Sequence, residues 1–316
     1  MQSFQILPGT QATPLERLVD DYLHSCRARG LSLATMTRGY GHALQRVFLP
    51  WCLEQGITSI EQLDQRSMDR FTSWLHVKPG IAGRPLSPVT IHSFSRTVGQ
   101  FLRWCRKEGE TVEATPQLPR LGRRVIDVLS RDEIDRMENA APAERDRLII
   151  RLLADTGMRV GELCTLTAES FVVRDHRSFL KVTGKGDNDR LVPLPPALIR
   201  RVERYVRSRP KDTNSPYLFV GLRRAPHGDY ERLTTSGVLD MIKGHAYRAG
   251  LKKRVYPHLF RHSFATEALR RGMNPIQLAR ILRHSSLRMI ERTYSHLDQT
   301  DAYDAVLKML ASSGGR

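Results

Sequence analysis

Several short stretches of this 316-residue chain carry side chains suited to chemistry at phosphorus. Asp155-Thr156-Gly157-Met158-Arg159-Val160-Gly161-Glu162-Leu163 ends a helical pattern in a turn that presents an arginine, and Lys185 tips a hairpin pattern. His258 and Arg261, in His258-Leu259-Phe260-Arg261-His262, stand three residues apart and so share one helix face. His284 follows in Leu282-Arg283-His284-Ser285-Ser286, and Tyr294 in Arg292-Thr293-Tyr294-Ser295-His296. Taken singly, each has a bland explanation. With 50 lysines and arginines in the chain, a lone arginine reads as solvated surface, and Tyr294 alone is one of nine tyrosines. Together, two arginines, a lysine, two histidines and a tyrosine suit a phosphodiester, whose transferring group gathers negative charge on its non-bridging oxygens.

At these motifs, in this order, the sequence resembles the tyrosine recombinase family, which includes phage integrases and Xer-type recombinases. The resemblance covers nearly the whole chain and implies a helical core-binding domain followed by a catalytic domain. It implies that Arg159 and Arg261 are the two catalytic arginines, Lys185 the hairpin lysine, His258 and His284 the two histidine positions, Glu162 the acidic support and Tyr294 the nucleophile. It also implies strand exchange between specific sites in double-stranded DNA, by a homotetramer on two duplexes. One departure stands out: many relatives have glycine immediately before the second histidine, where this chain has Arg283.

The chemistry can also be argued from the side chains. Arginine stays charged at any working pH, and its planar fork spans two oxygens, so Arg159 and Arg261 can neutralise the phosphate while His284 adds a hydrogen bond. Tyrosine ordinarily ionises near pH 10, so Tyr294 must lose its proton as it attacks or be stabilised by nearby cations; His258 can accept that proton. The leaving 5′-alkoxide needs a proton, which Lys185 on a mobile hairpin can deliver; the other reading of Lys185 is a phosphate contact. Glu162 reads either as a carboxylate that orients a neighbour or as an ordinary helix-surface acid. The phosphotyrosine ester retains the bond energy, so no ATP or cofactor is expected, and no GxxxxGK[ST] loop is present. No carboxylates or cysteines have ligand spacing, so no metal is expected either. Two rivals remain: a type IB topoisomerase, which would relax DNA without sequence preference, and a DNA-binding regulator that has lost catalysis.

The composition agrees with a polyanionic partner. A formal net charge of +17, with a basic surplus both before and after residue 127, fits DNA contact by both parts of the chain as a clamp. A membrane surface fits less well, because no basic cluster adjoins an apolar anchor. Met1 to Pro14 lacks a basic stretch followed by an apolar run, and Cys26, Cys52, Cys105 and Cys164 are no disulfide framework, so a cytoplasmic protein with buried thiols is expected.

The elements that must position these residues are mostly helical. Residues 1–110 read as a helical domain: Thr13-Pro14-Leu15-Glu16 is a capping box opening a helix to Gly30, a second stripe runs through Tyr40, Leu44, Val47, Phe48 and Trp51, a shorter pattern lies at Met68, Phe71 and Leu75, and a last helix starts at Ser87. Trp51, Trp74 and Phe101 fit helix cores better than base-stacking platforms. Residues 111–127, with Pro116, Pro119 and Gly122, read as a linker. Residues 128–316 read as a mixed α+β catalytic domain. One helix runs from the Ser130 capping box through Leu152, and strands at Phe179–Val182 and Arg190–Leu194 flank a hairpin turn. Helices follow over Pro195–Arg207, Thr234–Ala249, His258–Arg271 and Pro275–Leu282. After Tyr294, Ala302, Tyr303, Val306, Leu307, Met309 and Leu310 supply helical spacing for a tail that must dock, on its own domain or, as the resemblance implies, on a neighbouring protomer.

Overall fold

A computed structural model of the chain describes residues 12–80, 83–122, 127–183, 189–210 and 213–283. Two compact units divide at Arg123 and Arg124.

The first unit is helical. Its elements are α1 (Pro14–Ala28), two wide helical turns (Thr35–Gly41 and Leu44–Phe48) that lead into α2 (Leu49–Glu54), α3 (Gln65–Val77) and α4 (Pro88–Lys107). The Thr13 capping box forms: the Glu16 N–H donates to the Thr13 hydroxyl at 3.2 Å, and the Thr13 N–H donates to the Glu16 carboxylate at 2.7 Å. Ser87 caps α4 in the same way through its hydroxyl and the Thr90 N–H. The apolar stripes converge on an aromatic centre in which Phe71 meets Phe48 at 5.2 Å and Trp51 at 5.1 Å, edge to face. Trp51 and Phe101 are fully buried core residues, and Trp74 stacks half-buried on Phe71. The segment expected as a linker begins by packing on this unit: Val112 and Ala114 are buried, and the Thr115 backbone exchanges two hydrogen bonds with the Gln65 amide.

The second unit contains α5 (Arg131–Asn139), α6 (Glu144–Thr156), α7 (Val160–Cys164), β1 (Phe171–Arg174), β2 (Arg177–Thr183), β3 (Asp189–Pro193), α8 (Pro196–Ser208), α9 (Thr235–Arg248), α10 (Pro257–Arg270) and α11 (Pro275–Leu282). The strands form one antiparallel sheet in the order β1-β2-β3, with Leu180 opposite Phe171 on one side and Val192 on the other. The fold is therefore mostly helical with a small antiparallel sheet, as the sequence predicts. Two details differ. The single helix expected from Ser130 through Leu152 is two, because Pro142 can donate no hydrogen bond and disfavours helical backbone at Ala141. The strand β1 was not anticipated; it joins β2 through Asp175 and His176, both at positive φ.

The centre of this unit is α6, whose Leu148, Ile149, Ile150, Leu152 and Leu153 are all fully buried and which packs against α5, α8 and α10. Truncating any one of these leucines to alanine would cost about 2–5 kcal/mol. The helix stops at Gly157, left-handed at φ +58°. A Cβ there would lie 2.6 Å from Phe264 Cδ1 and 2.9 Å from Leu282 Cδ2, so glycine is what lets the end of α6 meet α10 and α11. Among the described residues no helix is long and apolar enough to cross a membrane. The tail pattern from Ala302 to Leu310 lies outside them.

Candidate active site

Three chain segments far apart in sequence meet where α6 and α11 end and α10 begins. Arg159 stands just before α7 in extended backbone, φ −76° and ψ 148°. Its backbone N–H donates to Glu162 Oε2 at 2.7 Å, and its Nη1 donates to Oε1 at 3.1 Å, so one carboxylate fixes both the turn and the guanidinium. The Arg159 side chain keeps 42% of its surface exposed, whereas Glu162 is buried. The expectation that Glu162 orients a neighbour therefore has geometry behind it, and the helix-surface alternative does not.

A second arginine holds the same carboxylate. Arg190, buried on β3, donates from Nη1 and Nη2 to the two oxygens of Glu162, each at 2.9 Å. Sequence reasoning missed it, although a signal was present: alternation along β3 puts Arg190 on the inward face with Val192, and an inward arginine in a strand requires a buried acid. Burial alone would raise the Glu162 carboxyl; the Arg159 backbone N–H and the Arg190 guanidinium outweigh it and hold Glu162 below the usual carboxylate range. Burial pulls Arg190 down from the usual arginine value, Glu162 opposes that, and the like charges of Arg159 and Arg283 add to it.

Arg261 is positioned differently. It is buried on α10, and it donates to the Gly157 carbonyl at 2.8 Å and to the Leu282 carbonyl. Arg159 Nη2 donates to the next carbonyl, that of Arg283, at 3.4 Å. The two arginines thus bind consecutive carbonyls at the C-terminal end of α11, where the backbone dipoles favour cations. Arg283 closes that helix in left-handed backbone, φ 51° and ψ 53°. Such a conformation costs a non-glycine residue about 1 kcal/mol, which gives a physical reason for glycine there.

His258 opens α10 on the same side as Arg261. Its outer edge is exposed, yet lost hydration of the ring and then the charges of Arg261 and Arg159 hold it below the ordinary histidine value, so it is neutral at pH 7. The structure therefore brings together Arg159, Glu162, His258 and Arg261. Lys185, His284 and Tyr294 lie outside the described residues. Near the base of the hairpin that carries Lys185, Lys181 and Asp189 pair at 2.7 Å. Among the described residues no group of three histidine, cysteine or acidic side chains is placed to hold a metal. Chemically, the arrangement offers fixed guanidiniums beside a neutral imidazole, a set suited to stabilising a phosphoryl transition state and accepting a proton.

Residues 127–301 match the phage integrase family. The chain belongs to that family. It is a site-specific tyrosine recombinase, an enzyme that cleaves and rejoins DNA. Among its relatives, the tyrosine recombinase XerA of Pyrococcus furiosus is 36% identical over 202 residues, covering 63% of this chain and 68% of the relative. The recombinase also shares its fold with XerH captured on a palindromic difH substrate after cleavage, at a TM-score of 0.70 and 18% identity, over 94% of this chain and 97% of that one. A lambda integrase tetramer bound to a Holliday junction matches at a TM-score of 0.63 and 17% identity, over 87% of this chain and 76% of that one.

Proposed function

We propose that this recombinase exchanges strands between specific double-stranded DNA sites through a 3′-phosphotyrosyl intermediate on Tyr294. Arg159 and Arg261 grip the non-bridging oxygens of the scissile phosphate, and His284 adds a hydrogen bond. The Tyr294 oxygen forms its bond to phosphorus as the bond to the 5′-oxygen breaks. The tyrosine proton goes to neutral His258, and Lys185 delivers a proton to the leaving oxygen. Glu162 and Arg190 keep Arg159 in place. The reverse reaction, with a second strand's 5′-hydroxyl as nucleophile, completes exchange without ATP, metal or cofactor. Four copies act on two duplexes in the cytoplasm, and residues 1–110 and 128–316 both contact the DNA, a reading that the basic surplus in both segments supports.

The observation that carries this reading is the pair of bonds from Arg261 to the Leu282 carbonyl and from Arg159 to the Arg283 carbonyl. They draw two arginines from distant segments to the residues immediately before His284. Tyr294→Phe removes one oxygen and little volume, so DNA affinity should be nearly unchanged while the covalent protein–DNA product disappears. A nicked suicide substrate analysed on a denaturing gel checks this. A covalent band from the variant would remove Tyr294 from its role.

A further inference from the structure

Arg283 is an unusual choice for its position. Its backbone is left-handed, where glycine is at ease and a β-carbon is strained. Its carbonyl receives Arg159, and the preceding carbonyl receives Arg261, so its backbone is part of the same cluster. Arg159 and Arg190 both bond to Glu162, whereas no carboxylate among the described residues pairs with the half-buried Arg283 guanidinium. Its charge is close enough to Arg190 to help lower that residue's pKa. A strained backbone and a like charge with no carboxylate partner among the described residues both weigh against arginine here in the unbound protein. An anion that arrives with the substrate would reverse the second penalty.

We propose that Arg283 is a DNA-phosphate contact at the rim of the active site, a cation added to the Arg159 and Arg261 pair and held by a left-handed helix end that glycine would fit more easily. The inference rests on the reading that those two arginines receive a DNA phosphate. The guanidinium is carried by the turn that their carbonyl bonds fix in place, and no acid among the described residues neutralises it. A phosphate contact of this kind releases counterions on binding and carries no sequence information.

The test uses the full chain and a labelled blunt DNA duplex of mixed sequence, with affinity measured across a series of salt concentrations. Arg283→Gly should bind roughly tenfold more weakly at ~0.1 M salt, as expected for loss of a charged hydrogen bond. Its plot of log affinity against log salt should be shallower by about 0.9. The same variant should melt about 2–4 °C higher, because the backbone strain is gone. A residue with only a structural role could raise Tm but would not move the salt slope. Arg283→Asn, also tolerant of left-handed backbone, should lose the same slope, and Arg283→Lys should keep it. An unchanged slope in the glycine or asparagine variant overturns the proposal, and so does a lysine variant as defective as glycine. Cleavage on the suicide substrate separates this from the broader reading: a wild-type chain that forms no covalent product refutes the Tyr294 mechanism, while the salt slope still reports on Arg283.

Discussion

The two units bury different kinds of polar residue. Among the described residues of the first, the buried polar side chains are Ser67, Thr72, Ser95 and Thr97, all uncharged; the second buries Thr156, Ser263 and Thr266 and, besides these, Arg145, Asp146, Glu162, Arg190, His245 and Arg261. The core of the first unit is organised chiefly by hydrophobic burial, which is non-directional and tolerates substitution. The second fixes charges at particular points, which is costly in desolvation and pins geometry. Asp146 and Glu162 each anchor a buried hydrogen-bonded cluster. In one, Asp146 bonds Arg145 at 2.8 Å and His245 at 3.0 Å, and Arg248 donates to the other ring nitrogen of His245 at 2.8 Å, tying α6 to α9. In the other, Glu162 and Arg190 are equally buried, and the network ends on the half-exposed Arg159. Both networks thus reach an arginine with exposed surface, Arg248 in the first and Arg159 in the second; the first braces α6 against α9, whereas the second, the open cluster, sets its arginine beside Arg261 and His258.

The largest expected effect comes from replacing Arg261, the buried arginine beside the open cluster. Arg261→Lys keeps the charge but loses the planar fork that reaches the Gly157 and Leu282 carbonyls, so single-turnover cleavage should fall by about 10²–10³-fold. Binding to duplex DNA should change far less. A lysine variant that cleaves at close to the wild-type rate would mean that the fork is not what the site requires.

Next in size is the ion pair itself. Glu162→Ala leaves Arg190 buried without its acid, and unfolding in urea should show a loss of about 3–5 kcal/mol. Replacing both partners by methionine removes the stranded charge as well, and the double variant should be closer to wild type in stability than the single one, while still cleaving poorly because Arg159 has lost its tether. If the two-methionine chain is the less stable of the two, the pair is a net source of stability and not chiefly a positioning device. Phe101→Ala in the first unit, with no ion to strand, should show no such rescue by a second substitution.

What the sequence reveals follows the same division. Helical periodicity and capping residues locate α1 and α4 of the first unit, where Thr13 and Ser87 cap as expected, and Leu15, Val19, Phe48, Trp51 and Phe101 are buried where the stripes place them; the single stripe from Tyr40 to Trp51 runs over two wide turns and α2. In the second unit the motifs at Arg159, His258 and Arg261 are legible by their order, but the partner that stabilises them is not. Alternation along the five-residue β3 marks Arg190 as inward-facing, but nothing local names the acid that meets it, 28 residues earlier. The strand β1 escaped because Asp175 and His176 take the positive-φ positions where a hairpin signal relies on asparagine or glycine. Glycine at 157 could be read as a helix stop, but not as the contact that makes room for Phe264 and Leu282, because packing between distant segments leaves no local trace.

The smallest effect sharpens the comparison most directly, because it reports the field of the open cluster on a group beside it. His258 lies below the ordinary histidine value of about 6.5 through lost hydration and then the charges of Arg261 and Arg159. In its proposed role as acceptor of the Tyr294 proton it works only when neutral. The cleavage rate of the wild type should therefore hold as pH falls from neutrality through 6.5, and should drop only at lower pH, where the imidazole takes up a proton. The folded-state shift is a depression, so its contribution to stability has the same sense: present above the unfolded histidine value and lost as pH falls through the lower folded one. Arg159→Gln removes one of the two named charges and leaves the burial, so the His258 titration, followed by the NMR signal of its ring proton, should move part of the way back toward 6.5. A wild-type inflection at or above 6.5, or a His258 titration indifferent to Arg159, would show that the open cluster does not set the protonation state of its neighbour.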